Sequence, residues 1–366
     1  MEHYLDNAAT TKPCAEAAEA VVRCMTEQYG NPSSLHRKGL EAQHVMEHAR
    51  QQIAAALGCK AQELLFTSGA TESTNLALRG AAAAHGRKRK KIITSAVEHA
   101  SVRQTLAQLE QQGFTVVAVA PDADGRYHAE DFLREVDGNT CLVSMMLVNN
   151  ENGYRMPVEE TFRGVKRKDP EILTHCDAVQ GFLKVPFRTR SLNADLISLS
   201  GHKVHALKGA GALYLRQGVR IRPILFGGHQ EKSLRPGTES VPLIAAFGAA
   251  AEKLSQTVQE RYEKAAQLRA SLIAQLRTME GVLIRDIPDA SPYVLSISMP
   301  GYRSEIILHY LEQREIYISS GSACSKGASS GVLEAFGAKQ QRWIAPCALA
   351  FAQKIRKMTL QHWYKD

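Results

Sequence analysis

Asp195-Leu-Ile-Ser-Leu-Ser-Gly-His-Lys203 decides how the rest of the chain is read. Its first residues alternate apolar and polar with β-branched character, the pattern of a short buried strand. Ser200-Gly-His-Lys203 then breaks the strand into a turn. The turn delivers a hydroxyl, an imidazole and an amine at a strand end. A lysine fixed there is what a Schiff base to an aldehyde cofactor requires, with neighbours suited to a phosphate. A surface lysine after a strand has the same local sequence, so the tetrapeptide leaves both readings open and context decides.

Working outward, helical and strand patterns alternate on either side. Leu64-Leu-Phe reads as a strand that runs through Thr67-Ser-Gly-Ala-Thr71 into a helix. Such a small-residue turn can offer backbone N–H groups and hydroxyls to a phosphate, although ordinary N-capping by Ser68 or Thr71 uses the same residues. Strands are expected at 91–95, 115–120, 140–149 and 172–177, with helices at 99–112, 129–136 and 158–167 between them. That alternation predicts a doubly wound α/β sheet, mostly parallel, whose ligands bind beyond the carboxyl ends of the strands. Chemically loaded turns fall at such ends: Ser68-Gly-Ala-Thr71, Val97-Glu-His99, Asn149-Asn-Glu-Asn-Gly153 and Cys176-Asp-Ala-Val-Gln180. A helical stretch over 244–279 is long enough to bridge two domains, and strand and helix patterns from about 280 suggest a smaller α+β domain. The expected division is a large domain over 15–255, with 1–14 and 256–366 forming the small one.

Composition narrows the class. The 366 residues are 44% hydrophobic and 22% charged, as in a globular chain of two domains. No window has the apolar length of a membrane span, and Met1-Glu-His-Tyr-Leu-Asp6 lacks a basic-then-apolar signal, so a cytoplasmic protein is expected. The seven cysteines are scattered without a Cys-x-x-Cys pair, which argues against a disulfide framework or a zinc site; an important cysteine must act alone. The net charge of +8 gathers partly in Arg87-Lys-Arg-Lys-Lys91, read as a solvated loop, with no direct nucleic-acid contact expected.

The loaded turns suit one kind of chemistry. Asp177 can hold a proton on a pyridine nitrogen and so make the ring an electron sink, Lys203 can form the Schiff base, His99 can stack on the ring, and Gln180 can bond a phenolic oxygen. Thr71, Ser200 and His202 can hold a phosphate. Each has a plainer use as a cap, a satisfied polar residue or a surface amide.

Tyr4-Leu-Asp-Asn-Ala-Ala-Thr-Thr11, Asn31-Pro-Ser-Ser-Leu-His36, Phe66-Thr-Ser-Gly-Ala-Thr-Glu-Ser-Thr-Asn75, Glu98-His99, Val148-Asn-Asn-Glu151, Asp177-Ala-Val-Gln180, Ser200-Gly-His-Lys203, Arg235-Pro-Gly-Thr238 and Ser319-Ser-Gly-Ser-Ala-Cys324 together resemble the cysteine desulfurases. These are pyridoxal-phosphate enzymes of aminotransferase class V and fold type I, and the resemblance runs from residue 4 to about 340. It implies a large domain with a mostly parallel seven-stranded sheet and a smaller α+β domain. It implies that Lys203 carries the cofactor and moves protons, Asp177 pairs the pyridine nitrogen, His99 stacks and exchanges protons, and Gln180 meets the ring oxygen. Ala70, Thr71, Ser200 and His202 would bind the phosphate, Thr238 would reach in from a second subunit, and Asn150 would lie near the substrate carboxylate. Cys324 would take sulfur from L-cysteine as a persulfide, leaving L-alanine, for a sulfur-acceptor protein of iron–sulfur assembly or tRNA thiolation. Small neighbours in Ser-Gly-Ser-Ala suit an accessible, mobile thiol. A selenocysteine lyase-like enzyme, or an impaired dimerising or sulfur-relay homologue, is the alternative.

The tail motivates that last alternative. Family members continue with Ala-Leu-Arg-x-Ser-Phe, whose arginine grips the substrate carboxylate; here the chain reads Arg342-Trp-Ile-Ala-Pro-Cys-Ala-Leu-Ala-Phe-Ala to residue 352 and stays atypical to Asp366. The arginine would fall at about Ala348. With its loss, cofactor binding is expected to persist while cysteine affinity and stability drop. Codons permitted from Trp343 onward, read in the neighbouring frame, spell DSALRFSFRTKNTEDDIATLVQG, the tail the family would have. Sequencing the coding DNA is expected to show that one frame slip near codon 342 restores this peptide; if no single slip does, the explanation is wrong.

Overall fold

The computed structural model describes residues 2–85, 88–319, 332, 335–336 and 343–347. In chain order its first half runs β1 (His3–Tyr4), α1 (Ala15–Thr26), α2 (Arg37–Leu57), β2 (Leu64–Thr67), α3 (Ala70–His85), β3 (Lys91–Ser95), α4 (Ala100–Gln111), β4 (Thr115–Val119), α5 (Ala129–Glu135) and β5 (Thr140–Met146). There follow α6 (Val158–Lys168), β6 (Leu173–Asp177), α7 (Thr189–Leu192), β7 (Leu196–Ser200), β8 (Gly211–Leu215), α8 (Val241–Ser255), α9 (Val258–Leu276), β9 (Leu283–Arg285), β10 (Leu295–Ser298), α10 (Ser304–Glu312), β11 (Ile316–Tyr317) and β12 (Trp343–Cys347). They divide into two compact units, one of Lys12–Val148 and Met156–Val258, the other of Met1–Thr11, Asn149–Arg155 and Gln259–Asp366.

The larger unit holds a seven-stranded sheet in the order β2-β8-β7-β6-β5-β3-β4. Neighbours from β7 across to β4 are parallel, while β8 runs antiparallel to both β2 and β7. Every residue of β5, β6 and β7 is buried. Helices cover both faces of a parallel sheet, so the polar Ser144, His175 and Ser198 are as buried as their apolar neighbours. Leu76 and Leu78 of α3, Leu106 of α4, Ile92, Leu142, Leu196 and Leu213 form one core cluster. Local signals set the helix ends. His36 accepts from Gly39 N–H at 3.3 Å to start α2, and Gly58 ends it in the left-handed conformation, at φ 77°. Helix α6 opens on Glu159 and Glu160 and closes on Lys166, Arg167 and Lys168, complementing its dipole at both ends.

The helical stretch expected over 244–279 is two helices rather than one, separated at Gln256–Thr257, where Thr257 N–H turns back to Leu254 O at 3.2 Å. The two segments have different environments. Helix α8 is largely buried, and Gly248 lets it approach α2 so closely that a Cβ there would stand 2.6 Å from Ala49 Cα. Helix α9 buries only Ala265, Ile273 and Leu276. A β-branched threonine at the junction is a poor reason to keep one axis.

The described part of the basic run, Lys88 to Lys91, leads into β3. Arg89 pairs with Asp169 at 2.6 Å and Glu171 at 3.1 Å, and Lys91 with Asp137 at 3.0 Å. Those cations neutralise the protein's own carboxylates. In the smaller unit β1 pairs in parallel with β11, and β10 is flanked antiparallel by β9 and β12. Leu5, Ile307, Leu311, Ile316 and Ile318 close one core there. The first residues of the atypical tail therefore form a strand, with Trp343 opposite Ser298 and Cys347 opposite Leu295. Cys324 and the tail from Ala348, including the position of the missing arginine, lie outside the described residues. Among the described residues no helix is long and apolar enough to cross a membrane.

One buried ion pair anchors the loop before α8. Arg50 donates to Glu231 at 2.6 and 3.0 Å and to Leu64 O at 3.0 Å, while Phe66 N–H donates to Glu231 at 2.7 Å. The two side chains are 9% and 2% exposed. Arg50→Met strands the carboxylate in the core and is expected to lower the unfolding free energy by about 3–5 kcal/mol, read from the denaturation midpoint; adding Glu231→Leu should recover part of that loss.

Candidate active site

The carboxyl ends of adjacent strands bring three of the expected residues together. β6 ends on Asp177, whose register partner on β7 is Ser198; β7 ends on Ser200 and passes into a 3₁₀ turn over Gly201–Lys203. The segment after β3 places His99 as the N-cap of α4. Asp177 is 6% exposed, and its Oδ1 accepts from Val179 N–H at 3.0 Å. Burial pushes its carboxyl up, against the pull of the nearby His99 and Lys203 charges. His99 is shifted down, first by burial and then by Lys203 and Arg103, with Asp177 opposing. Its imidazole is therefore neutral near pH 7. Ser101 N–H donates to Nδ1 at 3.1 Å and its hydroxyl lies 2.9 Å from the same atom, so Nδ1 accepts and the neutral ring carries its proton on Nε2.

A second group forms a cradle. Ser200 on β7 is opposite Gly211 on β8. A Cβ at Gly211 would stand 2.6 Å from Gly69 Cα, so the Ser68–Ala70 turn lies directly against the sheet beside Ser200. The turn is tied down by Thr67 Oγ1 to Ser73 Oγ at 2.7 Å and by Ser73 N–H to Gly69 O at 3.0 Å. Helix α3 starts at Ala70, so the first amides of Ala70 and Thr71 have no intrahelical acceptor and the positive end of its dipole is at the turn. Ser200 Oγ is buried with no hydrogen-bond partner among the described residues. An orphaned hydroxyl beside a helix N-terminus fits an anion. The local charge agrees: His202 is pushed down to about 4 by burial and by Lys203, Lys208 and Lys184.

Gln180 is buried, and Lys184 Nζ donates to its Oε1 at 2.7 Å. With the oxygen engaged, the amide offers N–H to whatever lies on its other side, as an anionic ring oxygen would need. Thr238 is exposed in the loop whose Arg235 pairs with Glu72 of α3 at 2.8 Å. Asn150 belongs to the smaller unit, in the 149–155 turn that Asn149 Oδ1 caps by accepting from Glu151 and Asn152 N–H at 2.9 and 3.1 Å. Gly153 there has φ 76°, and a Cβ on it would stand 3.0 Å from Ser291 O.

The family profile described as Aminotransferase class-V matches residues 3–338. A cysteine desulfurase of Trichormus azollae is 41% identical over 345 residues, covering 91% of this chain and 84% of the relative. The chain belongs to the cysteine desulfurase family. Among solved structures, one described as a NifS-like protein matches with a TM-score of 0.89 at 37% identity over 96% of each chain. One described as SspA in complex with cysteine matches at 0.82 and 31% identity, over 94% of this chain and 99% of that one. The profile ends five residues before Trp343, where the tail departs from the family's pattern.

Beside this candidate site stands a residue that the sequence offered only as a neighbour of His99. Glu98 is 0% exposed. Its Oε1 accepts from Ser95 Oγ at 2.5 Å and Met146 N–H at 2.9 Å, and its Oε2 has no partner among the described residues. Burial, reinforced by the Asp177 charge, pushes the carboxyl up to about 8 despite those two bonds. A glutamate in a turn after a strand ordinarily points to water, so nothing local announces it. Lys184 was missed for the same reason.

Glu98 raised from 4.5 to about 8 holds a proton in the folded state that the unfolded chain has lost, so its contribution to stability falls as pH rises through that window and is flat above it. Glu98→Gln keeps the shape and the acceptor oxygen. It is expected to flatten the decline in melting temperature between about pH 5 and 8, relative to the parent; an unchanged decline would show that Glu98 is ionised throughout.

Proposed function

We propose that the chain removes sulfur from L-cysteine with pyridoxal 5′-phosphate, giving L-alanine and a persulfide on Cys324. The observation that carries the reading is the buried Asp177 carboxyl, within the electrostatic reach of His99 and Lys203, on a strand next to the one that ends at a cradle with an orphaned hydroxyl. The two features are what the opposite ends of this cofactor need: a carboxylate for a protonated ring nitrogen, and an anion site for the phosphate. Bound there, the cofactor would supply an aldehyde and an electron-withdrawing ring.

The chain's own residues supply the rest. Asp177 would accept the ring N–H, whose positive charge would offset the burial that disfavours the ionised carboxylate. Ala70 and Thr71 amides, the Ser200 hydroxyl and His202 hold the phosphate. Gln180 donates its N–H to the ring oxygen, with Lys184 fixing the amide. His99 would stack on the ring, giving and taking back a proton at Nε2, while the Lys203 amine would be the group that holds the aldehyde and then moves a proton at the substrate α-carbon. Asn150 lies near the substrate carboxylate. The Cys324 thiolate attacks the substrate sulfur; a sulfur–sulfur bond forms, the carbon–sulfur bond breaks, and its electron pair goes to carbon, which a proton then completes as alanine.

The acceptor of the persulfide sulfur is a second protein, and the working form is a homodimer in the cytoplasm with Thr238 entering the partner's site. An exposed apolar face supports a second copy: Val22, Met25 and Tyr29, 60–67% exposed, recur along and just beyond α1. Lys38 places the start of α2, with exposed Leu35 and Leu40 beside it, against Tyr29 at 5.5 Å.

The decisive assay incubates the chain with L-cysteine and measures alanine, sulfide and the visible band of the bound cofactor. Cys324→Ala is expected to abolish sulfide release while keeping the band, a loss of at least about a hundredfold for deletion of a nucleophile. Full activity in that variant would sink the assignment.

A further inference from the structure

On the face of the sheet that carries Asp177 runs a polar chain that none of these roles uses. His175 stands two residues before Asp177 on β6 and so faces the same way. Its Nδ1 is 2.8 Å from Ser144 Oγ on β5, and its Nε2 is 2.9 Å from Ser198 Oγ on β7. Thr74 on α3 donates to Ser198 Oγ at 3.2 Å. All four side chains are 0% exposed. Burial pushes the imidazole down to about 3, so it stays neutral, one ring nitrogen donating and the other accepting. Stability alone is a weak reason for such a chain, since apolar residues of the same shape do about as well in a core.

What the chain ties together gives a better reason. Ser144 is opposite His175, and the next pair on the same face is Met146 opposite Asp177. Ser198 is opposite Asp177 and two residues before Ser200, so it shares their face. Thr74 lies one turn beyond the Ala70 and Thr71 amides on α3. A single imidazole thus joins the strand that ends in Asp177, the strand that leads to Ser200 and Lys203, and the helix that opens the cradle.

We propose that His175 is a positioning residue for the desulfurase reaction: through Ser144, Ser198 and Thr74 it sets the spacing between the Asp177 carboxyl and the Ala70–Thr71–Ser200 cradle. The inference rests on the pyridoxal-phosphate reading, since only a rigid ligand with a ring nitrogen at one end and a phosphate at the other needs that spacing held.

The test uses the full-length loaded protein and two variants. His175→Leu combined with Ser144→Ala and Ser198→Ala removes the tie together with the two serine hydroxyls it would leave unsatisfied, and only Thr74 loses an acceptor. Ser198→Ala alone severs the links from His175 to β7 and to α3 with the loss of one hydroxyl. Three quantities are measured: the melting temperature, the rate at which pyridoxal 5′-phosphate is released on dilution, and the pH midpoint of the visible band. A residue that only packs would move the first and leave the others. The expected result for the triple variant is a melting temperature close to the parent's, release faster by about tenfold, and a displaced band midpoint. Ser198→Ala should shift release and midpoint in the same direction by less. Parental release rate and midpoint in Ser198→Ala and in any folded triple variant would overturn the inference and leave the cofactor reading standing. Absence of a visible band in the parent chain supplied with pyridoxal 5′-phosphate would instead overturn both.

Discussion

Asp177 sits at the end of a strand buried on both faces, and a carboxyl there keeps its negative charge only if positive charge is brought to it. Lys203 brings such charge from the turn after β7, and His99, at the cap of α4, does so only when protonated; burial still prevails, so the carboxyl remains shifted upward. That residual deficit gives the site its chemical direction. A cationic N–H group placed against Asp177 is bound more tightly than it would be at the surface, because the interior screens the attraction less. The position of the carboxyl follows from topology: β6 is central in the sheet, and parallel strands deliver their last residues to one edge.

Burial acts on the neighbouring groups in opposite senses, and the result is a set of residues with defined protonation. The same desolvation that raises Glu98 and Asp177 lowers His99, His175 and His202. In each case the neutral form gains. The floor of the site therefore consists of uncharged hydrogen-bonding groups, Glu98 against Met146 N–H and His175 between two serines, and charge is confined to the edge where a ligand could meet it.

Backbone proximity matters as much as charge. Gly211 has no room for a Cβ because the Gly69 turn occupies the space, and this contact sets how near the first amides of α3 come to Ser200. On the loop before α8, Glu231, Lys232 and Ser233 all have φ between 44° and 61°, which non-glycine residues avoid. The bonds from Arg50 and Phe66 N–H to Glu231 hold that conformation. Strain retained by such an anchor is common beside functional loops, and this loop carries Arg235 and Thr238.

Much of this was legible in the residues. The alternation of strand and helix patterns over 64–200 specified a parallel sheet, because a helical crossover returns the chain to start the next strand in the same direction, and the loaded turns at strand ends specified where ligands bind. Motif blocks from Asp6 to Cys324 carried the family, because a turn that must hold a phosphate or a ring tolerates few residue types. What the chain alone could not convey are quantities that depend on non-local neighbours. Burial of Glu98 comes from β5, the neutrality of His175 from Ser144 and Ser198, and the break at Gln256–Thr257 from the difference in cover along 241–276. Sequence by itself determined which groups stand at the strand ends, since that is set by local pattern. Only the tertiary structure decided their protonation and spacing, since desolvation and hydrogen bonding are properties of what the fold packs around a side chain.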